Sequence, residues 1–311
     1  MKILFVNTST KSCGIYQYGN NLIKTLNKSK DIELKSIDAS GLEQVDSELK
    51  NDNYDVIIFN YYHNLVNYIN FDRKYFNNHI CIAILHEIDD TTFKKYKDGF
   101  FQKYLYADPT LSTDNPIVTS INRIIPKYEN KYKMPSIPTI GSMGFGYERK
   151  GYDLLIDQVQ KEFDEAIIRL HIPSNGVIDA SGSNARSIVN KCKSQIRKKG
   201  ISIEASHEFL SHEGVLDFLA KNSINAFFYK QEEADGISSS TDHAITVRRP
   251  LSINKTPLFK HLHNLNPSIL IENNSLKQIL SNGTKPFDSI YKDSSEEVFV
   301  LNLKKIINDL I

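Results

Sequence analysis

Short apolar runs alternate with stretches of helical periodicity along this chain. In the first half, such runs predict strands at 2–7, 32–38, 55–60, 80–86 and 117–121, with a weaker one at 104–111. After the first run, helical spacing joins Ile15, Gly19, Leu22, Ile23 and Leu26. The gaps between the later runs are long enough for crossover helices. Strands and helices in this order predict a parallel sheet covered on both faces.

The pattern pauses at 126–138, where prolines and charges replace apolar periodicity and predict a linker. A second α/β series follows, with a strand and turn at 139–145 and further strands at 166–173, 201–206, 225–230 and 250–253. Two helices have clear apolar faces: Tyr152, Ile156, Val159 and Phe163 in one, and Phe299, Leu303, Ile306 and Leu310 in the last.

These two series predict an α/β protein with two Rossmann-like, doubly wound domains facing a cleft. The N-terminal domain is expected to cover 1–130 and the C-terminal domain 131–311. The last helix is a candidate to pack back onto the N-terminal domain. Ligands of such sheets bind beyond the carboxyl ends of the strands, so the loops at those ends are the candidate sites.

Composition changes this picture little. Hydrophobic residues make up 40% of the 311 residues and charged residues 24%, which favours a packed core. A net charge of +1 gives no reason to expect a nucleic-acid partner. Three scattered cysteines favour a reducing cytosol over a disulfide scaffold or a zinc site. The start, MKILFVN, predicts a strand instead of a signal peptide, so we expect a cytoplasmic protein.

Two loops of the first half attract attention. The loop 8–20 contains Gly14 and Gly19, which allow close approach of a ligand, but it lacks the GxGxxG pattern of dinucleotide-binding proteins. A flexible turn explains it equally well. His86 ends a buried apolar run and is followed by acidic residues. A structural histidine and a catalytic one are both open interpretations there, and no cluster with metal-ligand spacing is visible.

The loop GSMGFGYERKG (141–151) places glycines before a basic pair, Arg149 and Lys150. Glycine-rich turns let backbone amides approach phosphate oxygens, and basic side chains neutralise their charge. The GKS or GKT ending of a P-loop is absent. The alternative is a solvated basic pair on a hairpin-like excursion.

The stretch DGISSSTDHAITVRRPLSI (235–253) joins a polar loop, a helix start and a strand. Ser239 and Asp242 have the spacing of a capping box, which is the structural interpretation. The functional interpretation is that the amides at this helix start bind an anionic ligand.

Together, the last two loops resemble the nucleotide-sugar half of GT-B glycosyltransferases, in particular the retaining Glu-x7-Glu family. Arg149-Lys150-Gly151 followed by an apolar helix, and Asp235-Gly236 followed by Ala244 and Pro250, have that family's order and offsets. Two positions depart from it, because Asp235 stands for the first Glu and His243 for the second. The resemblance covers the C-terminal half well and the N-terminal half in outline.

The resemblance implies a role for each candidate residue. His86 and Asp235 would be catalytic, and His243 would bind the nucleotide ribose. The donor diphosphate would be held by glycines, the basic pair and serines: Gly14, Gly144, Arg149, Lys150, Ser238 and Ser239. Transfer would retain anomeric configuration, with the nucleotide-sugar as co-substrate, no further cofactor and no metal.

The acceptor would be a hydroxyl on a glycan, a lipid-linked molecule or another compound. The basic segment 191–200 is a candidate for contact with anionic lipid at the inner face of the membrane, although a solvated helix face is its commoner role. Two rival functions stay open: a catalytically inactive nucleotide- or glycan-binding relative, and a nucleotide-sugar epimerase.

Overall fold

The computed structural model describes residues 1–11, 13–61, 79–86, 88, 101–174, 179–230 and 236–310. Contacts divide the chain into two compact units. The N-terminal unit comprises Met1–Ile124 and Asp293–Ile311, and the C-terminal unit comprises Ile125–Lys292. The end of the chain therefore belongs to the N-terminal unit.

Within the described residues, the N-terminal unit has a six-stranded sheet in which each strand pairs in parallel with its neighbours. The strand order is β2-β1-β3-β4-β5-β6. The strands are β1 (Lys2–Thr8), β2 (Glu33–Ala39), β3 (Val56–Tyr61), β4 (Ile80–Leu85), β5 (Lys103–Tyr106) and β6 (Val118–Ser120).

The sheet of the C-terminal unit has five parallel strands among the described residues, in the order β11-β10-β7-β8-β9. Its strands are β7 (Thr139–Met143), β8 (Glu165–His171), β9 (Gly200–Ser206), β10 (Ile224–Phe227) and β11 (Leu251–Ile253). The predicted α/β class with two parallel sheets is thereby confirmed.

Each sheet reverses its strand order once. In the N-terminal sheet, β2 lies on one side of β1 while β3 and the later strands continue on the other. In the C-terminal sheet, β8 and β9 lie on one side of β7, and β10 and β11 on the other. Connections leave opposite faces of a sheet at such a reversal, which opens a crevice beyond the carboxyl ends of β1 and β3, and of β7 and β10.

Central strands are mainly apolar because both of their faces are covered. In β1, Leu4 and Val6 join one buried cluster, while Ile3 and Phe5 join another. Successive side chains of a strand point to opposite faces, so the two clusters lie on the two faces of this sheet. The edge strand β2 is instead exposed at several positions.

The helices among the described residues carry the crossovers. They are α1 (Gly14–Leu26), α2 (Leu42–Asn51), α3 (Tyr152–Glu162), α4 (Ser183–Ser194), α5 (His212–Ala220), α6 (Ser240–Thr246), α7 (Leu276–Asn282), α8 (Asp288–Asp293) and α9 (Glu296–Asn308). Short 3₁₀ turns occur at Glu148–Lys150, Pro257–Leu262 and Lys285–Phe287.

The last helix, α9, packs in the N-terminal unit. Phe299, Leu303 and Ile307 are buried in the same cluster as Leu22 and Leu26 of α1. Ile307 thus takes the fully buried position that the periodicity gave to Ile306, which is only partly buried. The Glu296 carboxylate also accepts a hydrogen bond from Lys28 at 2.6 Å.

The predicted linker has no helix or strand, but it is firmly attached to the C-terminal unit. The Tyr128 hydroxyl donates to the Asp217 carboxylate at 3.1 Å, and the Asn130 amide donates to the Val247 carbonyl at 2.9 Å. The Arg249 guanidinium donates to the Tyr132 carbonyl at 2.6 Å. Polar side chains therefore hold this segment in place where apolar periodicity is missing.

Glycine is required where α3 begins. Gly151 has a left-handed backbone, with φ of 61°, and a Cβ atom built on it would lie 1.8 Å from the Phe228 carbonyl oxygen. Gly14, at the start of α1, has no such neighbour within 4 Å.

We therefore expect Gly151→Ala to lower the free energy of unfolding by at least about 1–2 kcal/mol, the usual cost of a left-handed L-residue, with the clash adding to it. Gly14→Ala is the matched control and should leave stability unchanged or raise it, because alanine favours helix. Thermal denaturation measures both. Equal midpoints for Gly151→Ala and the wild type would contradict this account of the junction.

Candidate functional site

Two loops meet where the strand order of the C-terminal sheet reverses. One follows β7 and leads into α3, and the other follows β10. The Lys230 amide donates to the Arg149 carbonyl at 2.8 Å, which joins the loops directly. The close approach of Gly151 to the Phe228 carbonyl is the second contact between them.

Lys150 lies on the face of an aromatic ring. Its ammonium nitrogen is 3.9 Å from the centre of the Tyr229 ring, and Tyr229 is only 2% exposed. The Tyr229 hydroxyl lies 3.1 Å from Ser240 Oγ, which lies 2.8 Å from Ser238 Oγ. We call Lys150, Tyr229, Ser238 and Ser240 the lysine cluster. It brings the two loops that resemble the nucleotide-sugar motif into contact.

The lysine cluster also changes the chemistry of its phenol. Burial raises the pKa of Tyr229, but the Lys150 charge and hydrogen bonds from Lys150, Ser240 and Ser238 outweigh it, so the pKa lies below its ordinary value. The electron-rich ring and the hydroxyl oxygen thus attract the ammonium group.

The other predicted members of this loop have separate positions. Gly144 has φ of +145°, and a Cβ atom built there would be 3.3 Å from Cε of Lys150, so Gly144 leaves room for the lysine stem. Arg149 is exposed, with its guanidinium 4.5 Å from the centre of the Tyr147 ring. The contacts of the described residues therefore place Lys150 in the cluster and Arg149 at the surface beside it.

The capping-box interpretation of the serine loop is wrong. Ser239 is the N-cap of α6, but its side chain makes no capping hydrogen bond, and its backbone is already helical, with φ of −74° and ψ of −9°. A capping serine needs an extended backbone for its hydroxyl to reach the N3 amide. The Ser240 amide donates a hydrogen bond to Ser238 Oγ at 3.4 Å.

Two backbone amides of this loop, those of Ser238 and Ser240, have partners within the protein. The Ser238 amide donates to the Leu258 carbonyl at 3.0 Å, so it is not directed to a ligand. With α6 only seven residues long, its dipole is modest as well. The polar groups that the loop contributes to the lysine cluster are hydroxyls.

His243 lies in the first turns of α6 and is partly exposed. Its Nδ1 is 2.7 Å from the Ser239 carbonyl oxygen, which can only accept a hydrogen bond, so Nδ1 carries the proton. In the neutral ring, Nε2 therefore holds the lone pair. The His212 ring lies beside it, with centroids 5.2 Å apart. Asp235, which stands for the first Glu of the resembled motif, lies outside the described residues.

The N-terminal unit has its own polar group at the reversal between β1 and β3. Asn7 and Asn60, both 1% exposed, end the apolar runs of these strands, and His86 follows β4. His86 Nε2 lies 2.6 Å from Asn60 Oδ1, and Asn60 Nδ2 donates to Asn7 Oδ1 at 2.8 Å. Gly14 begins α1 in the same unit.

His86 is held as a neutral base. Burial and, to a smaller extent, the positive charge of Arg123 together lower the pKa of its imidazole to about 3. At neutral pH the ring therefore carries one proton only and offers one lone pair.

Sequence reasoning missed three residues of these groups: Tyr229, Asn7 and Asn60. All three had a visible signal, because each stands at the carboxyl end of an apolar run. Ser240 belongs to the serine loop that the sequence singled out, but its contact with the Tyr229 hydroxyl was not predicted.

Two other kinds of feature are absent from the described part of the chain. No three histidine, cysteine or acidic side chains there are grouped as metal ligands would be. Likewise, none of the helices described is both long and apolar enough to span a bilayer. The basic segment 191–200 has acidic partners: Lys191 pairs with Glu148 at 3.0 Å and Lys198 with Asp164 at 2.8 Å.

No protein-family model matches this sequence, and no curated protein matches it significantly. Solved structures do. HepE from Anabaena, in complex with UDP, has a TM-score of 0.64 at 12% identity and covers 99% of this chain and 100% of its own. The E. coli trehalose-6-phosphate protein bound with UDP-2-fluoro glucose has a TM-score of 0.66 at 10% identity, with 100% of both chains covered.

TarM from S. aureus, in a complex with UDP, has a TM-score of 0.55 at 13% identity and covers 81% of this chain and 55% of its own. These neighbours are GT-B glycosyltransferases. At such identities the likeness shows the fold alone. The chain therefore has the GT-B fold, as its sequence motifs predicted.

The low pKa of His86 predicts a pH dependence of stability. The folded protein protonates this ring only near pH 3, whereas the unfolded chain does so near 6.5. Between these values, acidification favours the unfolded chain by up to about 1.4 kcal/mol per pH unit.

His86→Gln should therefore flatten the loss of stability between pH 6.5 and 4, measured by urea denaturation at several pH values. His79→Gln, at a histidine that bonds the Tyr54 carbonyl in the same unit, is the control and should keep the wild-type slope. An unchanged slope in His86→Gln would show that the fold does not hold His86 as a neutral base.

Proposed function

We propose that this chain is a glycosyltransferase that moves a sugar from a nucleotide-sugar donor, with UDP as the nucleotide, to an acceptor hydroxyl. The lysine cluster carries the proposal. It sets a cation at the reversal of the strand order in the C-terminal sheet, where ligands of open parallel sheets bind. Neighbours of the same fold were solved with UDP or UDP-sugars, which supports the choice of ligand.

The chemistry of transfer requires such a cation. Breaking the bond between sugar and phosphate leaves negative charge on the departing diphosphate, and a fixed positive group lowers the energy of that transition state. Lys150 would supply this charge, held in place by Tyr229, while Arg149 lies at the surface beside it. Gly144, which has no side chain, would leave room for the diphosphate beside Lys150. Ser238 and Ser239 would contribute hydroxyls.

His243 would bind the nucleotide ribose through its Nε2 lone pair. In the family that the sequence resembles, a carboxylate accepts hydrogen bonds from the ribose. An imidazole with Nδ1–H bonded to the Ser239 carbonyl presents a single acceptor in place of two oxygens. The substitution therefore keeps the acceptor role and loses the charge.

We further propose that transfer retains the anomeric configuration and needs no metal ion. Retention follows from the resembled family, and it is also the outcome studied for a trehalose-6-phosphate synthase of the same fold. A lysine at the diphosphate would take the role that a divalent cation has in other transferases. His86 and Asp235 would contact the reacting sugar. The acceptor would be a hydroxyl, for which a glycan is our candidate.

A second candidate is a binding protein without transferase activity, and the imidazole at position 243 favours it, because a neutral acceptor binds ribose more weakly than a carboxylate. Release of free UDP from UDP-sugars separates the two functions. A transferase hydrolyses its donor slowly even without acceptor, whereas a pure binder releases no UDP.

Replacing Lys150 tests the proposed diphosphate contact. Lys150→Met keeps the aliphatic stem over Tyr229 and removes the charge. We expect UDP to bind about 10- to 150-fold more weakly, which corresponds to about 1.5–3 kcal/mol for a charge-assisted hydrogen bond. Isothermal titration calorimetry with UDP measures the change.

Lys193→Met is the matched control, because Lys193 is exposed on α4 and should not affect UDP affinity. Thermal denaturation should show both variants folded. Wild-type affinity in a folded Lys150→Met variant would exclude the lysine cluster as the diphosphate site.

A further inference from the structure

The polar group of the N-terminal unit fixes more than the position of His86. Asn7, Asn60 and His86 stand at the carboxyl ends of three adjacent strands, β1, β3 and β4. Two of these side chains are asparagines that are 1% exposed, so each of their polar atoms needs a partner. Their partners determine which way each amide points.

Asn60 can be oriented from its neighbours. Its Nδ2 lies 2.7 Å from the Ile15 carbonyl oxygen, an atom that can only accept. It lies 2.8 Å from Asn7 Oδ1, and Asn7 is oriented in turn because its Nδ2 faces the Tyr16 carbonyl at 3.3 Å. The amide group of Asn60 must therefore donate in this direction, so its Oδ1 must accept from His86.

This orientation fixes the tautomer of the imidazole. Asn60 Oδ1 is 2.6 Å from His86 Nε2, so Nε2 carries the proton. A neutral ring then has its lone pair on Nδ1. The groups that face His86 from other elements do not favour a second proton: Arg123 is cationic, and Tyr18 of α1 presents its ring edge-on, with centroids 5.0 Å apart.

Helix α1 packs closely against the two asparagines. A Cβ atom built on Gly19 of α1 would lie 2.2 Å from Asn7 Oδ1 and 2.7 Å from Asn60 Nδ2. The backbone of α1 therefore lies directly against the two amides, and it supplies two of their carbonyl acceptors, from Ile15 and Tyr16.

We propose that Asn60, oriented by Asn7 and α1, is a positioning residue that holds His86 as the Nε2–H tautomer, so that Nδ1 accepts a hydrogen bond from a sugar hydroxyl. A ring held in this way offers a lone pair and no second N–H, so it selects a ligand group that donates. Hydroxyls fit this requirement, whereas phosphate and carboxylate oxygens are repelled. The sugar as ligand rests on the proposed function, whereas the tautomer does not.

The tautomer is measured directly by long-range ¹H–¹⁵N NMR of the imidazole in the uniformly labelled wild-type protein. His86→Gln identifies the His86 signals by their loss. We expect a protonated Nε2 and an unprotonated Nδ1 at neutral pH. A proton on Nδ1, or a doubly protonated ring, would overturn the inference without any assay of activity.

Two variants test what Asn60 does for recognition. Asn60→Leu removes the acceptor, so both neutral tautomers should be populated. Relative to UDP alone, the affinity for UDP-sugar should then fall about fivefold, the effect of losing one hydrogen bond. Asn60→Asp keeps the acceptor but adds a negative charge, which raises the pKa of His86. UDP-sugar affinity should then fall on acidification and recover at higher pH, while UDP affinity changes little.

Asn51→Leu, at an asparagine whose amide donates to the Ser47 carbonyl on α2, is the control for the loss of a hydrogen-bonding asparagine. A pH-independent loss of UDP and UDP-sugar binding together in both Asn60 variants would show a structural role and overturn the proposal. If wild-type protein binds neither UDP nor UDP-sugars, the proposed function is wrong. If both bind but His86 is protonated at Nδ1, this inference alone is wrong.

Discussion

Both candidate sites depend on the reversal of strand order in a parallel sheet. Helices cover both faces of each sheet. Ligands of such sheets bind beyond the carboxyl ends of the strands, where the reversal separates two neighbouring connections. The lysine cluster lies at the reversal between β7 and β10, and the asparagine pair at the reversal between β1 and β3. Sheet topology therefore selects which of many polar loop residues can take part in chemistry.

The lysine cluster and the asparagine–histidine group stabilise different charge states. At β7 and β10, the protein keeps a full positive charge beside an almost completely buried ring, which the electron-rich face of Tyr229 makes favourable. At β1 and β3, it keeps a histidine neutral by burial beside a cation and by two amides that cannot ionise. The first group suits an anion and the second suits a hydroxyl.

Much of the fold was predictable because central strands of a parallel sheet are apolar on both faces. The runs at 2–7, 55–60 and 80–86 show this directly, and the structure confirms each strand. The 104–111 run gave a weak prediction because its strand is only four residues long, Lys103–Tyr106. Helix faces were predicted with errors of one residue, as at Ile307, where packing against α1 decides which residue is innermost.

The candidate sites were less predictable, because their contacts join residues that are far apart in sequence. Lys150 was identified from the glycine-rich loop that precedes it. Tyr229 belongs to the site because its ring lies close to the Lys150 ammonium group, a contact between distant parts of the sequence. Ser239 and Asp242 have capping-box spacing, yet the Ser239 backbone is already helical and the neighbouring Ser238 amide donates to the distant Leu258 carbonyl. Local patterns predict local structure, and they fail where a distant carbonyl or hydroxyl is the better partner.

A crystal structure of this chain with bound UDP would show whether the lysine cluster binds the diphosphate. We predict a diphosphate oxygen within hydrogen-bonding distance, about 3 Å, of Lys150 Nζ, with a ribose hydroxyl on Nε2 of His243. UDP bound with its diphosphate away from the lysine cluster would contradict it, even if the protein proved to be a glycosyltransferase.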